Sequence, residues 1–394
     1  MNIGKRGQFG AVLLTICLLF VISGIAIYDF TPADYGFVDF LTPLHVDREW
    51  HASHMRLMLL KDQLLFFGQG FVAMYIMYRW HTLLSRRWLA SAIVALLMLL
   101  APFLPEVGMS VEGHRRWFWM GSVPIQSGVW ALFPAAFALS HLLSTIETED
   151  ADRKRFVLFG LFFAAISGLF LVQPDLPMFV LFNCLTLVLV LLGNCAAVMK
   201  KKIALAAASI SGVGVTLFSI IHPNYAKWSF NSFMYDKYSF SYVYQSTLAL
   251  NDLKLGGLNG IGLGSYYLSK TVYPIDTKSK FILQIIGREF GFVGMMVVIL
   301  LFAIIAWLSL ERIKTIAGSI EKRIAKAMLS LILLPAVLGL IRTLNLLSLI
   351  PSYDIPFLGY GAVSVIGACG AVGIIFSSAF DAESGTGSNG GEPA

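Results

Sequence analysis

Two adjacent arginines, Arg115 and Arg116, are followed by Trp117 and Trp119, and this is the grouping in the chain best suited to grip an anion. Guanidinium groups make forked, charge-assisted hydrogen bonds to phosphate oxygens and stabilise charge that develops on a departing phosphate. The same four residues also fit an interfacial anchor, with tryptophans at headgroup level and arginines snorkelling to water. Asp276 lies in a long polar stretch and is a carboxylate able to take a proton from a hydroxyl. As a loop aspartate it is equally at ease simply solvated. Asp175 follows Gln173-Pro174 between two apolar runs, a place suited to capping the helix that comes next.

Arg288, Glu289, Arg342 and Asn345 fall within apolar runs. Polar groups there are expensive in hydrocarbon and face partners or a cavity. An Arg288–Glu pair or an Arg342–Glu289 pair that holds helices together accounts for them as readily as chemistry does. His51 and His54 are spaced i,i+3, but only Glu49 or Asp47 offers a further ligand, and no metal site is expected from them. The glycine-rich stretch Gly256–Gly264 lacks the lysine and the preceding strand of a phosphate-binding loop. It reads as a flexible re-entrant or amphipathic element.

The elements that must position these residues follow from composition. The chain is 57% hydrophobic and only 13% charged, where soluble domains carry roughly a quarter charged residues. Too little polar surface remains for water, and lipid is the solvent that can face apolar side chains all round a helix. The net charge of +6 sits in short clusters between apolar runs, which is topological information and excludes a nucleic-acid groove. Cys17, Cys184, Cys195 and Cys369 all lie in apolar runs and read as filler.

A span takes ~20 mostly apolar residues. Runs occur near Phe9–Tyr28, Leu59–Tyr78, Trp88–Leu104, Pro124–Ser144, Phe156–Val172, Leu176–Met199, Ile203–Ile221, Ile282–Leu310, Ala325–Leu349 and Pro356–Ser378. The reading is an all-α polytopic membrane protein of about ten transmembrane helices. The sixth and seventh runs are separated only by the lysines at 200–202, so a single merged span is the alternative there. The first run follows Lys5 and Arg6, is longer than a signal-peptide core, lacks an A-x-A site, and reads as an uncleaved span.

An N-terminus in the cytoplasm puts the basic clusters at Arg86-Arg87, Arg153–Arg155, Lys200–Lys202 and Arg312–Lys326 all inside, and the C-terminus with them. Three segments then face outward: Asp29–Met58, Pro105–Val123 and a large periplasmic loop over 222–281 between the seventh and eighth spans. Loops of that length are usually functional. Residues 1–380 form the transmembrane domain, and 381–394, rich in Gly, Ser and Glu, read as a disordered cytoplasmic tail.

The order of short motifs resembles the FtsW/RodA/SpoVE (SEDS) family, with a pattern nearest FtsW. It rests on Gly113-His114-Arg115-Arg116-Trp117, Gln126-Ser127, Gln173-Pro174-Asp175-Leu176, Tyr244-Gln245-Ser246 with the glycines of 256–264, Arg288-Glu289-Phe290-Gly291, and Ile355-Pro356-Phe357-Leu358-Gly359-Tyr360-Gly361. The resemblance covers nearly the whole chain. It implies a peptidoglycan glycosyltransferase of the bacterial inner membrane that polymerises lipid II in division or cell-shape maintenance. It also implies a class B penicillin-binding protein and other divisome or elongasome proteins as partners, the partner's membrane helix packing on spans eight and nine. A divalent cation, Mg or Mn, is the one cofactor it allows. Arg115, Arg116, Gln173, Asp175 and Gln245 become substrate-binding candidates and Asp276 the candidate base.

The chain departs from the family pattern at its polar positions. The family aspartate before the eighth span falls on Ser279 or Lys280, a glutamate and a lysine of the fourth span on Val129 and Leu132, and the first glutamate of a pair on Arg288. Two further expectations follow: a scaffold or activator of the transpeptidase that lacks polymerase activity, or a transporter of lipid-linked precursors. The second needs a charged path through the bilayer, for which only Arg288, Glu289 and Arg342 are at hand. The sequence shows no inverted repeat of the kind transporters use.

Overall fold

The computed structural model describes residues 4–30, 48–80, 87–111, 114–121, 123–146, 153–193, 197–221, 223, 242–265, 277–346 and 351–377. In chain order the helices are α1 (Lys5–Phe30), α2 (Arg48–Trp80), α3 (Trp88–Leu100), α4 (Ser127–Ile146), α5 (Arg153–Val172), α6 (Leu176–Leu191) and α7 (Ala197–Ile221). They continue with α8 (Tyr242–Gly256), α9 (Thr277–Lys280), α10 (Ile282–Glu289), α11 (Gly291–Lys314), α12 (Ser319–Thr343) and α13 (Ala362–Ile375). Among the described residues seven helices are long and apolar enough to cross a membrane, and Trp88–Phe103, Leu176–Leu191 and Ala362–Ile375 are shorter apolar ones. The protein is a multi-pass membrane protein. Its helices show why: α1 buries Val12, Ile16 and Leu19 while Leu14, Leu18, Val21 and Ile25 face outward, so both faces are apolar.

Every apolar run carries a helix, with two adjustments. The lysines at 200–202 do not separate helices; they lie in the first turns of α7, and α6 ends earlier, at Leu191. The ammonium of Lys200 donates to the Leu191 carbonyl at 3.0 Å and that of Lys326 to the Leu192 carbonyl at 2.8 Å. Two cations thus close the end of α6, where unpaired carbonyls concentrate negative charge. The eighth run is not one helix but two, α10 and α11, broken at Phe290-Gly291, with Gly291 in the left-handed region at φ +66°.

The chain divides into two compact units. One comprises Met74–Lys227, Ser309–Leu334 and Gly370–Ala394. Here α4 packs against α3 and buries Ala131, Ala135, Ala136, Ala138 and Ser140, small side chains that let helix backbones approach without a hydrophobic drive from water. Phe163 stacks on Phe159 and Phe182 at 5.9 and 5.4 Å between α5 and α6. The segment before α4 is a three-stranded antiparallel sheet, β1 (Gly108–Val111), β2 (His114–Met120) and β3 (Val123–Gln126), in the order β1-β2-β3. Among the described residues the regular structure is helical apart from this sheet, which the all-helical expectation did not contain.

The other unit comprises Met1–Ala73, Trp228–Leu308 and Pro335–Cys369. Its centre is α10, with Ile282, Leu283, Ile285, Ile286 and Gly287 buried. Helix α8, from the long loop, crosses α10 at glycines: a Cβ on Gly256 would lie 1.9 Å from the Gly287 carbonyl oxygen. The glycine-rich turn that follows is hydrogen-bonded to the break between α10 and α11. The amides of Ile261 and Gly262 donate to the carbonyls of Arg288 and Glu289 at 2.9 and 3.1 Å, and those of Phe292 and Val293 to Gly257 and Leu258 at 2.9 and 3.1 Å. The turn satisfies the backbone groups exposed by the break between α10 and α11, which hydrocarbon alone could not do.

Candidate functional site

In the first unit described, the strand pleat separates the two arginines. Successive side chains of a strand point to opposite faces, so Arg116 is half-buried while Arg115 is exposed. The Arg116 guanidinium donates from Nε to the Gln173 carbonyl at 3.3 Å and from Nη2 to the Pro174 carbonyl. The Ser127 hydroxyl shares its one proton between the Arg116 carbonyl at 3.1 Å and Gln173 Oε1 at 3.0 Å, and Gln173 Nε2 donates to the Leu99 carbonyl. Gln173 and Asp175 are fully buried. Asp175 caps α6 through the Met178 amide at 3.4 Å, the structural role its position suggested. A Cβ on Gly128 would lie 2.9 Å from Asp175 Oδ2, so glycine makes the room.

This elbow ties the end of α5, the start of α6, β2 and the start of α4 into one frame. Arg115 is the cation it leaves exposed, on the same strand as an exposed Trp119. Val129 and Leu132 occupy the next turns of α4, with Leu132 buried.

In the second unit, the Arg288 guanidinium pairs with Asp252 of α8 at 2.6 Å and donates to the Ser265 carbonyl at 3.1 Å. Gln284 Nε2 donates to the other oxygen of Asp252 at 2.5 Å. The partner of Arg288 is thus an aspartate from the long loop and not a glutamate, because α8 lies against α10. Glu289 is 2% exposed. Its charged neighbours are Asp29 and Arg288, and the expected pair with Arg342 does not form. Asp29, at the end of α1, accepts from the Gly264 amide at 2.7 Å.

Arg342 is buried near the end of α12. Asn345 lies beyond that helix, not within it, at φ +50°, and the Leu346 amide donates to Ile341 at 3.0 Å. This is a left-handed helix stop, a conformation asparagine tolerates. Gln245 lies in α8. Asp276, His45 and the tail fall outside the described residues.

Lys278, Ser279 and Lys280 form most of α9 and sit against the segment before α13. The Tyr360 amide donates to the Lys278 carbonyl at 3.0 Å, and a Cβ on Gly359 would lie 2.7 Å from the Ser279 carbonyl oxygen. Sequence reasoning missed Asp252, Asp62 and the Ser23–Gln63 pair. An aspartate in the loop helix opposite an intramembrane arginine was the signal for the first.

Comparison with known proteins places this architecture. The chain is similar to stage V sporulation protein E of Bacillus subtilis, 26% identical over 370 residues, covering 93% of each chain. It is similar to the probable peptidoglycan glycosyltransferase FtsW of Coxiella burnetii, 27% identical over 301 residues, covering 74% of this chain and 78% of the relative. Among solved structures, a chain of a peptidoglycan synthase complex described as coordinating polymerization and crosslinking aligns with a TM-score of 0.67 at 17% identity, over 94% of this chain and 96% of that one. The rod shape determining protein RodA of Thermus thermophilus aligns with a TM-score of 0.61 at 15% identity, over 93% and 94%. The model of the FtsW/RodA/SpoVE family, described as cell cycle proteins, matches residues 11–383, and the chain belongs to that family.

Proposed function

We propose that this protein is a peptidoglycan glycosyltransferase that polymerises lipid II, a polyprenyl-linked disaccharide pyrophosphate, at the outer face of the bacterial inner membrane. Membership of the family over almost the whole chain carries the reading, and relatives bearing the glycosyltransferase name support it. The chemistry needs a base for the acceptor hydroxyl, positive charge for the departing pyrophosphate and a lipid-exposed groove for the tail. Arg115, exposed on β2, is the cation placed to meet a pyrophosphate; Arg116 frames it.

Both termini face the cytoplasm in this reading. The partner is a class B penicillin-binding protein whose membrane helix lies along α11, where Phe292, Val293, Met296, Val297 and Leu300 form an exposed apolar stripe. A helix-long stripe at this spacing suits a second helix. Among the described residues no three His, Cys, Asp or Glu side chains come together as a metal site. A divalent cation, Mg or Mn, enters this reading as the counter-ion of the pyrophosphate.

The test is polymerisation of purified lipid II by this chain with its cognate penicillin-binding protein across a Mn²⁺ and Mg²⁺ series. Long glycan strands support the reading, and their absence from a stable complex overturns it. Arg115→Ala is expected to weaken lipid II binding about tenfold, the loss of one charge-assisted contact. One observation favours a second reading, a scaffold that activates the transpeptidase: Ser279, Lys280, Val129 and Leu132 stand at family polar positions, and Arg288 is occupied by Asp252.

A further inference from the structure

A carboxylate inside a span is expensive unless it faces a partner or a cavity, and Asp62 is such a group. It lies within the candidate span Arg56–Arg79 and is half-buried. At 1.5 Å rise per residue it sits about 9 Å inside the start of that span. Its Oδ2 accepts from Tyr360 Oη at 3.1 Å. Over the same tyrosine ring lies the ammonium of Lys278, 4.3 Å from the centroid, a cation–π contact that brings positive charge to the carboxylate's hydrogen-bond donor.

The surroundings are rigid. Gln63, the next residue and fully buried, donates to Ser23 Oγ at 3.2 Å and to the Gly359 carbonyl at 3.4 Å, while Ser23 Oγ donates to the Leu358 carbonyl at 2.6 Å. The segment carrying Tyr360 is thereby fastened to α1 and α2, and α9 is fastened to that segment through Lys278. The other described carboxylates near α10 are unavailable: Asp252 is committed to Arg288 and Gln284, and Asp29 and Glu289 are buried.

We infer that Asp62 is the carboxylate that takes the acceptor proton, positioned by Tyr360; this rests on the polymerase reading above. The stretch that carries Lys278 is the one in which the family pattern has an aspartate and this chain has Ser279 and Lys280. A carboxylate contributed by α2 meets the same segment from the facing side. In the step, the acceptor sugar hydroxyl gives its proton to Asp62, and its oxygen forms a bond to the anomeric carbon of the donor. The bond from that carbon to the pyrophosphate oxygen breaks, and its electron pair leaves with the polyprenyl pyrophosphate. The glycan is longer by one disaccharide, and the proton passes from Asp62 to water.

The experiment measures strand synthesis by the full chain in complex with its penicillin-binding protein, using lipid II as substrate and reading kcat and KM separately. Asp62→Asn should lower kcat at least about 100-fold with KM within about threefold, the signature of a lost general base. Asp62→Glu should recover at least about a tenth of the rate, and Tyr360→Phe, which removes only the hydrogen bond, should lower kcat roughly tenfold. Melting temperatures establish that each variant is folded. An active Asp62→Asn beside an active wild type overturns the assignment alone, as does a loss expressed wholly in KM, or a loss confined to Asp276→Asn. If Asp62→Asn fails to assemble, full activity in Tyr360→Phe overturns it. An inactive wild-type complex overturns the polymerase reading as well.

Discussion

Arg116 and Arg288 both brace a helix end, and they are held in opposite ways. Arg116 donates to backbone carbonyls at the α5–α6 elbow, and every neighbour of that elbow is fixed by a neutral hydrogen bond or a cap. Arg288 meets a carboxylate, Asp252, with a buried carboxyl, Glu289, next to it in the chain. The first arrangement fixes the path of the backbone and leaves Arg115 facing outward. The second neutralises charge in a place where unneutralised charge is prohibitive. Motif residues of one chain thus divide into those that hold shape and those that hold charge, and the motif alone does not say which.

The sharpest way to break this contrast is to remove one charge. Asp252→Ala removes the carboxylate paired with the Arg288 guanidinium and is expected to cost roughly 3–5 kcal/mol, read as lost unfolding free energy in detergent. Replacing both partners, Asp252→Leu with Arg288→Met, should return most of that loss, because a buried pair adds little over apolar packing. Recovery would be absent if Arg288 served mainly to hold Ser265.

At the elbow the losses should be smaller and should not be rescued by removing a second charge. Gln173→Ala leaves buried partners unsatisfied and is expected to cost about 2 kcal/mol, with lipid II affinity per folded molecule unchanged. Asp175→Ala removes the cap of α6 and should cost about 1 kcal/mol. A loss of lipid II binding in either, with stability intact, would move these residues from the frame to the substrate. Arg115→Ala, exposed, should change stability by less than about 0.5 kcal/mol.

Much of the fold is legible in the residues because a bilayer writes a strong signal: each apolar run carries a helix, and the Asp175 cap was readable from the residues around it. The break at Phe290-Gly291 is not, since hydropathy reports the solvent and not the backbone, and the carbonyls that repair the break come from Gly257 and Leu258. The sheet is carried by His114–Met120, whose charged and aromatic residues register as interface rather than strand. The Arg288 partner lies 36 positions away, and Asp62 meets Tyr360 across 298; no local pattern encodes such distances. The expected glutamate partners for Arg288 and Arg342 failed for this reason.

The four backbone bonds between the glycine-rich turn and the α10–α11 break also set a kinetic property. Amides of Ile261, Gly262, Phe292 and Val293 are engaged across that seam, so solvent deuterium can reach any of them only when the seam parts. Segments some thirty residues apart should therefore exchange as one cooperative unit, with a common opening free energy. Because these four bonds run between main-chain atoms, the exposed side chains of Leu258, Ile261 and Leu263 can be exchanged for reporter groups without changing that opening.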